Sequence, residues 1–238
     1  MSRVLVIAPH PDDEVLGVGG TMARLAHEGH DVFVSIVTRG DHSMFDPPLI
    51  EQGRQEALAA HRLLGVKDTI FLEGFPAALL DTVPHSQLNE ALAKVLHNVK
   101  PDILFIPFCG DIHLDHRLVF ESALVAARPS STRQIQAIYA YETLSETNWN
   151  APLLTPGFVP NVYVDISPFL ELKLEAMRVY QSQLKLFPHE RSLEAIRALA
   201  RLRGATVGFE AAEAFVLIRS LYPLTAIAKP ALQHPEPR

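Results

Sequence analysis

Two short stretches hold residues whose types and spacing could do chemistry. The first is Ala8-Pro9-His10-Pro11-Asp12-Asp13-Glu14, and the second is Cys109-Gly110-Asp111-Ile112-His113-Leu114-Asp115-His116-Arg117. Each joins imidazole to carboxylate. Three adjacent acids repel one another, and a shared cation relieves that repulsion. Histidine and aspartate are suitable ligands for a borderline metal such as zinc, and a catalytic zinc usually keeps three protein ligands and an open position. The first stretch can give His10 and Asp13, and the second one or both of His113 and His116. Asp12, next to Asp13, is the natural general base. The remaining imidazole, paired with a carboxylate such as Asp115, could be held protonated to stabilise an oxyanion and protonate a leaving amine. These parts suit hydrolysis at a carbonyl. They suit hydride transfer poorly, and no Gly-x-Ser-x-Gly nucleophile elbow is present.

The flanking sequence says how such residues are positioned. Arg3 to Ala8 is a β-branched apolar run that reads as a buried strand, and a helical period follows to about Glu28, with Gly29 closing it. Gly17-Val18-Gly19-Gly20 is not a dinucleotide loop, because Met22 stands where the third glycine belongs and acids stand where pyrophosphate would lie. Small residues there let the helix pack closely on the sheet or let a substrate approach its backbone. Further strands are expected at 31–37, 69–72 and 102–108, with helices at 51–64 and 85–99. This β-α alternation implies a doubly wound, Rossmann-like, mostly parallel sheet with helices on both faces. In the order 3-2-1-4, strands one and four are neighbours at the switch point, so topology sets the second cluster against the first. Beyond it, helices are expected at 118–127, 168–184 and 192–203 and strands at 135–141 and 161–166. Residues 208–221 read as a last helix or a mixed segment. The expectation is one α/β domain over 1–222 and a proline-containing tail over 223–238.

Composition narrows the function. The 238 residues are 48% hydrophobic and 20% charged, with a net charge of -6, which gives no footprint for nucleic acid. One cysteine, Cys109, excludes an intramolecular disulfide, fits a reducing, cytoplasmic setting and reads as a small buried apolar side chain. No apolar run approaches the ~18 residues that a membrane span needs, and no signal peptide is visible.

The Pro-His-Pro-Asp-Asp-Glu turn after strand one, together with His113-Leu114-Asp115-His116 after strand four, resembles the PIG-L or LmbE-like zinc-dependent deacetylases. Pro9 stands where that family usually has alanine. The resemblance extends to Gly19-Gly20, to Arg54-Gln55-Glu56-Ala57 and to Tyr180-Gln181-Ser182-Gln183. It implies removal of acetyl from an N-acetylglucosamine-type sugar or conjugate, with zinc (or iron(II) or cobalt) on His10, Asp13 and His116. It makes Asp12 the general base and His113 the acid or oxyanion stabiliser, oriented by Asp115. Arg54 would contact substrate or acetate, unless it is a surface cation paired with Glu51 or Glu56. Glu14 would support the ligands. His42, Tyr141, Glu142, Asn148 and Trp149 are candidates for a sugar-binding rim. The family also implies a homo-oligomer, a trimer or hexamer. Two rivals remain: a two-metal phosphoesterase using the surplus acids Asp111 and Asp41, and a non-catalytic sugar-binding domain.

Overall fold

The computed structural model describes residues 1–41, 43–129 and 134–221. Seven strands form one sheet: β1 (Arg3–Ala8), β2 (Asp31–Ile36), β3 (Asp68–Phe71), β4 (Ile103–Pro107), β5 (Ala137–Tyr141), β6 (Val162–Asp165) and β7 (Ala212–Ser220). Their order is β3-β2-β1-β4-β5-β7-β6. The first five are parallel, with Val4 beside Val32 on one side and beside Ile103 on the other. Strand β7 alone is reversed, pairing antiparallel with both β5 and β6, so β6 points the same way as the first five. The mostly parallel sheet and its 3-2-1-4 core follow the sequence expectation. The segment read as a helix or mixed is instead strand β7, inserted between β5 and β6. Alanine and glutamate at 210–214 carry helical propensity, but pairing on both edges overrides it.

Among the described residues six α-helices cover the sheet: α1 (Asp13–His27), α2 (Pro47–Leu64), α3 (His85–Val99), α4 (Leu114–Ala126), α5 (Leu170–Val179) and α6 (Leu193–Val207). One apolar core lies between the sheet and α1, α2, α5 and α6, around Val6, Met22, Leu64, Leu174, Met177 and Phe215. The other lies beneath α3 and α4, around Ile7, Leu92, Val95, Leu104, Ile106 and Val119. Local signals set the helix ends. Asp46 precedes Pro47 at the first turn of α2, and Gly65, at φ 74°, ends it in the left-handed conformation. Ser192 Oγ accepts from the Ala195 N–H (3.2 Å) to open α6. Helix α4 starts four residues earlier than the sequence suggests, at Leu114. Helix α5 stops at Val179, short of the expected Leu184.

Helix α1 approaches the sheet closely enough to need its glycines. A Cβ on Gly17 would fall 2.2 Å from Tyr141 Cδ2, and one on Gly20 would fall 2.7 Å from Ile166 Cδ1. A buried ion pair is set against the same turn. Lys173 Nζ meets Glu213 Oε1 at 2.5 Å and donates to the Leu16 carbonyl at 2.8 Å. The Glu213 carboxylate accepts from the consecutive Gly20 and Thr21 amides at 2.9 and 2.7 Å. The strand-to-helix turn that carries His10 to Glu14 is thus fixed at its strand end by the sheet and at its helix end by this pair.

Candidate functional site

Because β1 and β4 are adjacent, the turns at their carboxyl ends meet, where open α/β sheets bind ligands. Asp12 is the residue before α1 and takes φ 110°, ψ -28°, a left-handed conformation that a non-glycine residue adopts at a cost of about 1–3 kcal/mol. Its carbonyl accepts from the Val15 and Leu16 amides. Its side chain makes no cap bond to α1 and is left for other work. The Asp13 carboxylate folds back, with Oδ2 accepting from the His10 N–H (2.8 Å).

Three side chains converge. Asp13 Oδ2 lies 3.2 Å from His10 Nδ1 and 3.2 Å from His116 Nε2. The ligand atoms of His10, Asp13 and His116 all lie within 4.8 Å of one another. Two buried polar atoms there have no hydrogen-bond partner, Asp13 Oδ1 and His116 Nε2. Orphaned buried atoms of this kind are costly unless another group claims them. The far nitrogen of each histidine meets a carboxylate: His10 Nε2 is 2.9 Å from Asp115 Oδ2, and His116 Nδ1 is 2.8 Å from Asp111 Oδ2. Carboxylates behind metal-binding imidazoles fix ring orientation and tautomer in this way. The residues present therefore fit a metal ion. A second trio, His10, His113 and Asp115, also has ligand atoms this close. It fits less well, because Asp115 Oδ2 already accepts from His10 and from the Ala78 N–H (2.8 Å).

The electrostatics agree with a site that draws cations. Burial opposes charge on His116, but Asp13 and Asp111 hold its pKa well above the usual range. Burial likewise opposes charge on His10, yet Asp115 and Asp13 push it up to about 9. Burial also works against the Asp13 carboxylate, and His116 and His10 beside it hold it well below the usual range. Asp12 goes the other way: burial pushes it well up, against the pull of Arg191.

His113 differs from expectation. It is the residue before α4, and its Nδ1 accepts from the Asp115 N–H at 3.1 Å. The Asp115 carboxylate lies 4.0 Å from that nitrogen and is bonded to His10 instead. Burial, then the neighbouring His10, lower the His113 pKa to about 4. So Asp115 orients His113 through its backbone rather than its carboxylate, and the imidazole is neutral near pH 7 with its proton on Nε2.

The other expected residues are placed as follows. Glu14 is fully buried; it accepts from the Tyr180 hydroxyl and the Asp12 N–H and meets His61 Nε2 at 3.1 Å, a supporting position. Arg54 pairs with neither Glu51 nor Glu56: its Nη1 donates to Glu73 Oε1 (2.7 Å) and its guanidinium lies 4.4 Å from the Phe71 ring centre. Glu56 accepts from Ser182 N–H and Oγ–H, which joins the Arg54-Gln55-Glu56 and Tyr180-Gln181-Ser182 stretches. Tyr141 is not on a rim; it is fully buried and its hydroxyl donates to the Ile7 carbonyl (2.9 Å). Both Glu142 oxygens are engaged by Arg203, at 2.8 and 2.6 Å. Trp149 is 64% exposed and, with Asn148, donates to Glu190. His42 and the 223–238 tail lie outside the described residues. Cys109 is half-buried rather than buried.

Two residues escaped the sequence reading. Asp111 was only a surplus acid there, yet its Oδ2 meets His116 while its Oδ1 accepts from Thr147 Oγ (2.6 Å). Arg191 carries no motif, yet it reaches Asp12, Gln183, Glu146 and Ser145. Only the fold brings it there.

Fold and site together define an α/β protein with a candidate two-histidine, one-carboxylate metal centre at the ends of two adjacent parallel strands. The chain belongs to the PIG-L family, described as GlcNAc-PI de-N-acetylase, which matches residues 5–127. It is similar to the diacetylchitobiose deacetylase of Thermococcus kodakarensis, at 27% identity over 93% of this chain and 85% of that one. Among solved structures it resembles a conserved protein from Thermus thermophilus, at 30% identity and a TM-score of 0.76, covering 95% of this chain and 99% of that one. It also resembles the N,N′-diacetylchitobiose deacetylase of Pyrococcus horikoshii, at 28% identity and a TM-score of 0.74, covering 94% and 88%. Among the described residues, no helix is long and apolar enough to cross a membrane.

Proposed function

We propose that this chain is a zinc-dependent N-deacetylase acting on an N-acetylglucosamine-type sugar or sugar conjugate in a reducing, cytoplasmic setting. The observation that carries the reading is the convergence of His10, Asp13 and His116, two of whose polar atoms lack partners, in a family whose relatives include sugar deacetylases. His10, Asp13 and His116 would hold the zinc. When bound, zinc supplies a Lewis acid that polarises the amide carbonyl and makes water acidic enough to be deprotonated near neutral pH.

The rest falls to the chain's own groups. Asp12, beside Asp13 and in the left-handed turn, takes the proton from water as general base. His113, neutral and carrying its proton on Nε2, donates a hydrogen bond to the oxygen on which negative charge develops. Asp12 then returns the proton it took from water to the departing amine. Asp111 and Asp115 hold the two ligand histidines in orientation. A two-metal phosphoesterase would need Asp111 as a ligand, and its oxygens already serve His116 and Thr147.

The test is acetate release from N-acetylglucosamine, N,N′-diacetylchitobiose and N-acetylglucosaminyl-inositol, in protein stripped by a chelator and then reloaded. Release that is lost with the metal and returns with zinc is the expected result. No release from any of the three in metal-loaded protein overturns the substrate class.

A further inference from the structure

Asp12 is an unusual base to build, because nothing on its own helix holds its side chain. Its backbone sits at φ 110°, its N–H is given to Glu14, and its carboxylate makes no bond to the first turn of α1. The charge that reaches it comes from the far end of the chain. Arg191 Nη1 lies 3.3 Å from Asp12 Oδ2. The same guanidinium donates from Nε to Ser145 Oγ (2.8 Å), from Nη1 to Gln183 Oε1 (3.0 Å) and from Nη2 to Glu146 Oε1 (3.3 Å). Ser145 is itself in the left-handed region, at φ 72°. Glu146 accepts the Ile112 N–H on its carbonyl (3.2 Å), so the network also touches the loop that carries His113.

From these contacts we propose that Arg191 is a positioning residue for the reaction: it fixes the Asp12 carboxylate in register with the metal ligands and is itself aimed by Ser145, Gln183 and Glu146. The inference rests on the reading of Asp12 as general base. A planar fork suits this task better than a point charge, because its donors have fixed directions and four acceptors from three segments share it. Both carboxylates lie 3.3 Å from it, just beyond the usual hydrogen-bond range, whereas the neutral acceptors are closer, at 2.8 and 3.0 Å. The neutral contacts thus set where the guanidinium sits, and its position then sets Asp12. A base displaced by about 1 Å loses on the order of a hundredfold in rate, so a contact that sets where the base sits has a large kinetic lever. The guanidinium bonds to Asp12 and to none of His10, Asp13 and His116, although the Asp13 charge also reaches it, so bound zinc has to be read beside kcat.

The experiment is a double-mutant cycle on zinc-loaded protein, read with the best substrate of the acetate-release panel. Arg191→Ala is expected to lower kcat on the order of a hundredfold, with KM and bound zinc close to wild type. Arg191→Lys falls between the two. In the Asp12→Asn background the further loss from Arg191→Ala shrinks to less than about threefold, because the two residues act as one unit. If Arg191→Ala does not fold, Arg191→Lys carries the same cycle with a smaller expected loss. Wild-type kcat in the Arg191 variants overturns the proposal, as does an equal further loss in the Asp12→Asn background. A raised KM at unchanged kcat also overturns it, since that marks a substrate contact. Asp12→Asn with wild-type turnover, or no turnover of any panel sugar by wild type, removes the underlying reading instead, and this inference with it.

Discussion

Asp111 offers a graded test of how the site is built. Its carboxylate is buried, with Oδ2 2.8 Å from His116 Nδ1 and Oδ1 2.6 Å from Thr147 Oγ. The Thr147 hydroxyl in turn accepts from the Thr143 N–H at 2.8 Å. On the proposed zinc reading, Asp111 would keep the His116 proton on Nδ1 and leave Nε2 free to take the metal. Asp111→Asn keeps an oxygen for His116 but removes the charge and turns an amide NH₂ toward Thr147. Carboxylates behind metal-binding histidines are worth about 10–100-fold in metal affinity. The asparagine variant belongs at the lower end, about tenfold or ~1.4 kcal/mol. Asp111→Ala leaves both the His116 N–H and the Thr147 hydroxyl without an acceptor and lets the imidazole change tautomer. It belongs at the upper end, about a hundredfold or ~2.7 kcal/mol. Competition with a chelator of known zinc affinity measures both. Zinc affinity in Asp111→Ala within about threefold of wild type would refute the claim that Asp111 sets the ligand nitrogen of His116.

Other outcomes follow from the same geometry. Asp12→Asn should keep its zinc and lose most turnover, on the order of a hundredfold or more in kcat; metal content and acetate release measured together check it. Lys173→Met leaves the Glu213 carboxylate buried with no cation and should cost about 3–5 kcal/mol, or ~6–20 °C in melting temperature for a chain of this size. Adding Glu213→Gln should recover stability by removing that charge while keeping an acceptor for the Gly20 and Thr21 amides, and a double variant no more stable than the single would contradict this. Gly17→Ala places a methyl 2.2 Å from the Tyr141 ring and should destabilise by about 1–3 kcal/mol, read by urea unfolding.

Much of this was legible in the sequence because the informative residues were local. Apolar runs bounded by turn residues marked β1 to β4, and the 3-2-1-4 order then brought His10-Pro11-Asp12-Asp13 and His113 to His116 together without any knowledge of side-chain packing. The glycines of α1 read correctly as a close approach. What failed was local preference opposed by tertiary context. Residues 208–221 contain alanine, glutamate and leucine in a run that suits a helix, and only pairing with β5 and β6 makes Ala212–Ser220 a strand. The start of α2 at Pro47 was readable from Asp46 and the two prolines, but a polar loop masked it. Tyr141 looked like a rim residue because it ends a strand beside polar residues, whereas its ring fills the space that Gly17 leaves. Arg191 carries no pattern at all, and Asp111, though inside the second cluster, gave no sign that it pairs with His116. Asp111 precedes a motif without belonging to it, and Arg191 is separated from Asp12 by most of the chain. Contacts of that kind become visible only when the backbone is closed.

The order in which the chain is made gives the braces around the first turn a further meaning. His10, Asp13 and His116 all precede residue 117, inside the stretch that matches the family. The groups that hold their turn come later: Lys173 and Glu213 against α1, the Tyr180 hydroxyl on Glu14, and Arg191 on Asp12. On the ribosome the candidate ligand side chains therefore emerge well before the parts that shape their turn. Until β7 takes its place between β5 and β6, Glu213 is not yet set against the Gly20 and Thr21 amides and the turn is unbraced. A chain halted before Lys173 therefore carries His10, Asp13 and His116 without the contacts that brace their turn in the folded protein.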